Sequence, residues 1–411
     1  MSALSSPAAT WPQRRSFSLK QALAHPLANY YLVLGAGAAL VILGVFMVAS
    51  AASVFSQVSA GDPYYYGKRH LVFALVGVLA AYLMSRLPHK VLRGLAWPAI
   101  ILALFFVGLT YTSLAQNING NQNWLRFGPS WTQFQPSEFA KVALVLWGAQ
   151  HLEKKEKLLK DMRQWFSFII ISVLLIGLVL IHDLGSAAVM TLMFVATLFL
   201  AGAPVRLLAV IGAGGAAGIL ALVKLEGNRM ARIMAWLNPD QYSLDFNFQA
   251  NHGLYGLASG GFWGLGLGAS RQKWGGLMST GYTDYIMAIV GEELGLFGTL
   301  MVIALFVVLT FAGVRVASRA ASSFGRLVAI GVTSWFVLQA IVNIAVVFRW
   351  LPVLGVTLPF VSYGGSSLIA TLLGLGLLLG CARQEPEAAK LLGTPKSGPG
   401  KVTQVFTRSA P

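Results

Sequence analysis

Charge is what this sequence has least of. Only 11% of its 411 residues are charged and 56% are hydrophobic, whereas soluble domains carry roughly a quarter charged residues. Too little charge remains to cover a soluble surface. Cysteine is nearly absent: Cys381 stands alone, which excludes disulfides within the chain and cysteine-based metal sites. The six histidines (His25, His70, His89, His151, His182 and His252) show no metal-ligand spacing. No internal repeat is visible. No cleavable signal sequence is expected, because the first 29 residues are mixed polar with Arg14, Arg15 and Lys20, and the apolar run after them is of spanning length.

Long apolar runs are present instead. They recur near 30–52, 70–86, 94–112, 136–150, 165–181, 185–201, 205–223, 284–314, 327–348 and 359–381. Runs of about 17–25 residues cross a hydrocarbon core of roughly 30 Å as helices, and no water is available there to satisfy an open backbone. The expected fold is therefore an all-α integral membrane protein with about ten transmembrane helices. The formal net charge of +16 follows topology rather than nucleic-acid binding. Most lysines and arginines fall on the loops that share a side with the N-terminus, so both termini are expected to be cytoplasmic. That gives a cytoplasmic tail at 1–29, a polytopic domain at 30–382 and a flexible cytoplasmic tail at 383–411. Residues 224–283 form one large extracytoplasmic loop. Its Trp236, Phe246, Phe248, Phe262, Trp263 and Trp274, together with many glycines, predict short helices and turns packed on the membrane face.

Charges within or at the ends of spans are costly and face a partner or a water-filled cavity. Glu138 and Lys141, three apart in the fourth span, share a helix face; a local ion pair and a functional pair fit equally. Asp183, at the turn between spans five and six, reads as a helix cap or as a site acid. Asp284 opens the eighth span at the outer surface, either as a first-turn acid on the helix dipole or as a base at the mouth of a cavity. Glu292 and Glu293 lie about two turns further in and fit interhelical contacts, in a network that Gln339 and Asn343 can join. Arg229, Arg232, Arg271 and Lys273 in the long loop suit phosphate recognition as well as plain solvation. The stretch Leu358 to Ser367, with Ser366 and Ser367, predicts a bent helix entry whose free amides and hydroxyls meet an anion, or a structural helix start.

The ordered motifs resemble the SEDS (shape, elongation, division and sporulation) family, which includes FtsW and RodA, and lie closer to its FtsW branch. They are Trp124-Leu125-Arg126, Gln135 through Lys141, Asp183-Leu184-Gly185, Asn238-Pro239, Gly260 through Gly268, Gln272-Lys273, Thr283 through Ala288, Glu292 through Gly295, and Leu358 through Ser367, from about residue 30 to 382. Two departures stand out: His182 replaces a frequent proline, and Asn121-Gln122-Asn123 lacks basic residues that many relatives carry. The resemblance implies a peptidoglycan glycosyltransferase that polymerises lipid II, an undecaprenyl-pyrophosphoryl disaccharide-pentapeptide, at the outer face of a bacterial cytoplasmic membrane, at the division septum. It implies Asp284 as the essential aspartate and Glu138 with Lys141 as a cavity-lining pair. It implies a class B penicillin-binding protein as transpeptidase partner, alongside other divisome membrane proteins and membrane lipid, and no nucleic acid.

On that reading Asp284 is the general base. Arg229, Arg232, Lys273 and Lys141 are the candidates to stabilise the leaving pyrophosphate. Trp124, Arg126, Asp183, Ser366 and Ser367 belong to the substrate site. A divalent cation, Mg or Mn, held by Asp284 stays open, since no carboxylate cluster fixes one. A lipid II flippase and a scaffold that only recruits the transpeptidase are the rival classes.

Overall fold

The structure is a computed structural model describing residues 19–118, 121–126, 128, 133–155, 163–225, 227–238 and 247–393. In chain order it contains α1 (Leu19–Ala24), α2 (Ala28–Ala51), α3 (Ser53–Ala60), α4 (Tyr65–Arg86), α5 (His89–Leu109), strands β1 (Ala115–Ile118), β2 (Asn121–Arg126) and β3 (Gln133–Phe134), then α6 (Pro136–Lys155), α7 (Arg163–His182), α8 (Leu184–Leu200), α9 (Val205–Leu225), α10 (Gly227–Leu237), α11 (Phe248–Ser259), α12 (Ile286–Arg319), α13 (Ser323–Val347), α14 (Gly365–Arg383) and α15 (Pro386–Leu392). Among the described residues, seven helices are long and apolar enough to cross a membrane: α2, α4, α5, α7, α12, α13 and α14. The apolar stretches of α8 and α9 are shorter, and α6 carries Glu138 and Lys141. Each of the ten expected runs falls on one of these ten helices.

The inner helices are α13 and α14; α4 and α5 turn large apolar side chains such as Leu71, Val72, Leu75, Ile101 and Phe105 outward. Such a bundle has no hydrophobic drive among its helices in lipid, so close packing of small residues holds it. Gly376 of α14 lies against the Ala81 backbone of α4, where a methyl group would overlap the carbonyl oxygen.

α12 is 34 residues long, about 50 Å at 1.5 Å per residue, too long for one crossing. It is broken at Gly295, whose φ of 68° and ψ of −162° are open to glycine alone. The first limb, Ile286 to Glu293, is buried throughout, while the second exposes Leu296, Phe297, Leu300 and Val307. Backbone groups freed by the break pair with the glycine-rich loop: Leu265 N donates to Glu292 O (2.9 Å), Gly266 N to Glu293 O (3.0 Å) and Leu296 N to Gly261 O (3.0 Å).

Three features depart from the sequence expectation. Within a fold expected to be all-α, the α5–α6 connection forms a three-stranded antiparallel sheet in the order β1-β2-β3, with Gln116 opposite Trp124 and Leu125 opposite Phe134. Its asparagine- and glutamine-rich strands have poor intrinsic propensity, so packing decides here: Leu125 is buried, and Phe134 meets Phe106 and Phe139 at 5.4 and 4.9 Å. The C-terminal tail does not become flexible at 383, because α15 folds back with Glu385 and Ala388 buried. Glu385 accepts from Asn29 Nδ2 at 2.9 and 3.0 Å, and Asn29 Oδ1 accepts from Arg315 Nε at 2.8 Å, which ties both chain ends to α12. The flexible tail expected beyond it, at 394–411, lies outside the described residues. Finally, Gln339 and Asn343 do not join Glu292 and Glu293; each serves a different cluster, described below.

Candidate functional site

Asp284 sits two residues before α12, on a segment pinned from both neighbouring helices. Asn343 Nδ2, from α13, donates to Asp284 O (2.8 Å) and Val356 O (2.7 Å). Ser362 Oγ donates to Thr283 O (2.7 Å), and Tyr363 N to Tyr282 O (2.9 Å). The backbone is thus fixed by the segment that leads into α14. The carboxylate itself is half-buried and, among the described residues, has no hydrogen-bond or ion-pair partner. Burial, reinforced by the negative charge of Asp183 and opposed by Arg232, pushes its pKa up to about 6. A free, positioned carboxylate with that pKa is ionised at neutral pH and still basic enough to take a proton.

Asp183 takes the capping reading offered for it. It caps α8, accepting from Ser186 N at 2.9 Å. Its other oxygen collects Asn123 Nδ2 (3.0 Å), Gln135 Nε2 (3.0 Å) and Ser137 Oγ (3.3 Å). Those donors bring β2 and the start of α6 onto α8, so Asp183 is a fixed negative charge near Asp284 rather than a free acid. Beside it is a cleft of about 220 Å³, the space at its mouth included, walled by α5, α6 and α7 with Asn123, Ser137, His182 and Asp183 at its polar end. Asp284 does not line it. That space includes open solvent, and its enclosed part admits little more than a water molecule.

Glu138 and Lys141 form a buried ion pair, Nζ to Oε1 2.8 Å. Lys141 Nζ also donates to Gln339 Oε1 (2.8 Å) and lies 5.2 Å from the centroid of the Trp335 ring. Gln339 Nε2 continues to Thr357 O (2.9 Å), and Thr357 Oγ1 meets Ser367 Oγ at 3.0 Å. Glu138 Oε2 stays buried without a partner. Ser366 Oγ accepts from Gln135 N (3.1 Å), so the entry of α14 touches the Asp183 cluster as well.

The expected cations divide. Among the described residues, Arg232, on α10, is the one whose charge acts on Asp284. Lys273 is buried elsewhere: its ammonium donates to Gly268 O (2.6 Å) and Glu293 (3.4 Å), so it holds the glycine-rich loop and is not free for a leaving group. Lys141 is likewise occupied by Glu138 and Gln339. Glu292 grips the same loop through Ser270 Oγ and Arg271 N. Arg126 is exposed and donates to Gly128 O (2.7 Å), and Trp124 is half-buried in β2. The side chain of Arg229, and Pro239 of the Asn238-Pro239 pair, lie outside the described residues. Sequence reasoning missed Thr357 and gave no individual role to Asn123 or Ser362, although both lie in stretches it singled out; a lone polar residue carries no signal of its partner.

Among the described residues no group of three His, Cys, Asp or Glu can hold a metal. With the lone pairs of Asp183 taken, a Mg ion at Asp284 would find one protein ligand and would draw the rest from phosphates and water.

The FtsW/RodA/SpoVE family model, described as a cell cycle protein, matches residues 30–387. A probable peptidoglycan glycosyltransferase FtsW from Geobacter sulfurreducens is 38% identical over 344 residues, covering 83% of this chain and 91% of that one. The stage V sporulation protein E of Bacillus subtilis is 35% identical over 350 residues, covering 84% and 94%. Among solved structures, a chain from work described as "Structural coordination of polymerization and crosslinking by a peptidoglycan synthase complex" matches with a TM-score of 0.69 and 28% identity, covering 86% and 97%. The rod shape determining protein RodA of Thermus thermophilus matches with a TM-score of 0.63 and 29% identity, covering 87% and 97%.

Proposed function

The chain belongs to the FtsW/RodA/SpoVE family of multi-pass inner-membrane proteins, and from that premise we propose that it polymerises lipid II into glycan strands with Asp284 as the base. One observation carries the residue assignment: a half-buried carboxylate, raised to about 6, without a partner among the described residues, on a backbone pinned from α13 and the α14 entry. The relatives' names support peptidoglycan glycosyl transfer, and the prevalence of FtsW among them supports a septal setting. The similar synthase-complex chain supports a class B penicillin-binding protein transpeptidase as partner. We read α6, α8 and α9 as spans too, which gives ten, with Asp284 and the 224–283 loop outside.

The donor sugar is α-linked to pyrophosphate and the product linkage is β, so a single displacement inverts the anomeric carbon. Asp284 takes the proton from the acceptor 4-hydroxyl as that oxygen bonds to the anomeric carbon. The bond to the pyrophosphate oxygen breaks, and the electron pair leaves with the pyrophosphate. Positioned bases contribute about 10²–10⁴-fold. Arg232 is the described cation placed to offset negative charge near Asp284; a divalent ion on the phosphates would act in the same sense when bound. Asp183 keeps Asp284 basic, and Glu138, Lys141, Gln339 and Ser367 form the buried floor that fixes the α14 entry.

Incubating the purified protein and its transpeptidase with lipid II in detergent tests this reading. Detergent leaves no two sides, so a flippase or a bare scaffold yields no polymer, whereas a polymerase yields glycan strands.

A further inference from the structure

We propose that Phe360 is a positioning residue for the reaction: its left-handed backbone aims the Ser362 hydroxyl and the Tyr363 amide at the segment that carries Asp284. The inference deepens the polymerase reading and rests on it. Phe360 has a φ of 66°, and among the described residues the only other non-glycine with positive φ is Arg349. Glycine or asparagine takes that conformation at little cost, whereas a bulky side chain is strained in it. Such strain persists only where the surroundings impose it. The Phe360 side chain is buried, and its ring meets that of Phe336 on α13 with centroids 4.9 Å apart at 71°. Gly374 of α14 packs on the same Phe336 ring, so closely that a methyl group there would stand 3.0 Å from it. The Phe360 carbonyl abuts α2 at Gly44, where a methyl group would come within 2.5 Å of Phe360 O and 2.8 Å of Val361 Cα.

The turn held in this way delivers two bonds. Leu358 O accepts from Val361 N (3.3 Å) and Ser362 N (3.0 Å), and Leu358 N donates to Ser362 Oγ (2.8 Å), which closes the turn around Phe360. Ser362 Oγ passes its own proton to Thr283 O (2.7 Å), and the next amide, Tyr363 N, donates to Tyr282 O (2.9 Å). An ordinary helical φ near −60° at residue 360 would rotate the following chain by roughly 120° and carry both donors away from residues 282 and 283. The wedged ring therefore fixes, two and three residues further on, the donors that hold the backbone of Asp284. It acts through Ser362 and Tyr363, not on the carboxylate. A turn that merely joined α13 to α14 could place glycine here, as Gly295 and Gly355 do at their own positive φ. Glycine would relieve the strain, but it has no side chain to wedge and would leave the turn loose beside a group that must not shift.

Steady-state kinetics of lipid II polymerisation by the purified full chain with its transpeptidase, alongside thermal unfolding, tests this role. F360G relieves the strain but removes the wedge. It should lower kcat about tenfold or more and leave KM for lipid II within about twofold, since misplacement by about 1 Å can cost 10²-fold. S362A deletes one of the two bonds and should lose less, in the same sense. The double variant F360G/S362A should fall no further than F360G, because both changes break one path. F360L keeps apolar volume without the ring contact. Its kcat should lie between wild type and F360G, and it carries the test if F360G unfolds early. Reduced heat stability with wild-type kcat in F360G and F360L would overturn the proposal and leave Phe360 a core plug. So would a raised KM with kcat kept, or losses that multiply in the double variant. Wild-type polymerisation by D284N would sink the base assignment and this proposal together, whereas an inactive D284N beside a fully active F360G would sink the positioning role alone.

Discussion

At the scale of single residues, a base works only when its pKa is held near the working pH and its lone pairs are free. Asp284 meets both conditions through named neighbours. Two substitutions should move its titration in opposite directions. D183N removes a negative neighbour, makes ionisation easier and should shift the acid limb of kcat/KM to lower pH. R232Q removes a positive neighbour and should shift that limb upward. In the wild type the limb should fall below about pH 6, because the protonated acid accepts nothing. A pH–rate series on the three proteins checks this, and shifts of the same sign would contradict it. Lys141 offers a second test. K141M leaves Glu138 charged and buried, at a cost of about 3–5 kcal/mol, while E138Q/K141M should recover much of it; thermal unfolding reads both. The Glu138–Lys141 pair was legible because a three-residue spacing sets two side chains on one helix face. Its third member, Gln339, was not, because it arrives from a helix 198 residues away. Lys273 misled for the same reason: sequence shows a loop cation, and only the fold brings Glu293 to it.

At the scale of elements, hydrophobic run length was enough to place the seven described helices that are long and apolar enough to cross a membrane, since run length is the constraint the bilayer imposes. What run length does not encode is a break inside an apolar stretch. Gly295 interrupts α12 within a run that reads as continuous, and its positive φ shows only in the backbone. G295A should therefore be far more damaging than a surface glycine change. Its strain, of order 1–3 kcal/mol, adds to a clash of the new methyl with Gly264 N and Phe262 O. Thermal unfolding in detergent should show a loss of at least about 2 kcal/mol, alongside a control such as G94A, where nothing lies within 4 Å. Equal tolerance of both would remove the break as a structural requirement. The small sheet was illegible for the opposite reason: its strands are too short and polar to carry a period.

For the whole molecule, the break in α12 also sets a level. The second limb begins at Leu296, about 36 Å from Arg319, which is close to one bilayer core. The clasped loop thus holds exposed Phe262 and Trp263 at the outer interface, where aromatic rings favour the headgroup zone. A fluorophore on W263C in nanodiscs should be quenched by shallow spin-labelled lipids; quenching by aqueous agents alone would refute that depth. Cys381, the only other thiol, is buried and should stay unlabelled. The bundle therefore presents a pinned acid with a cation beside it at one end, and a polar clasp of Asn29, Arg315 and Glu385 at the other. The central claim, that Asp284 performs the proton transfer, is tested most directly by lipid II polymerisation with D284N in detergent. No glycan strands should form, although the variant should be no less heat-stable than wild type at pH 7.5. A carboxylate whose pKa is raised on folding favours the folded state only while protonated, so the ionised wild type gains nothing from it there. Wild-type strand synthesis by a correctly folded D284N protein would contradict the account.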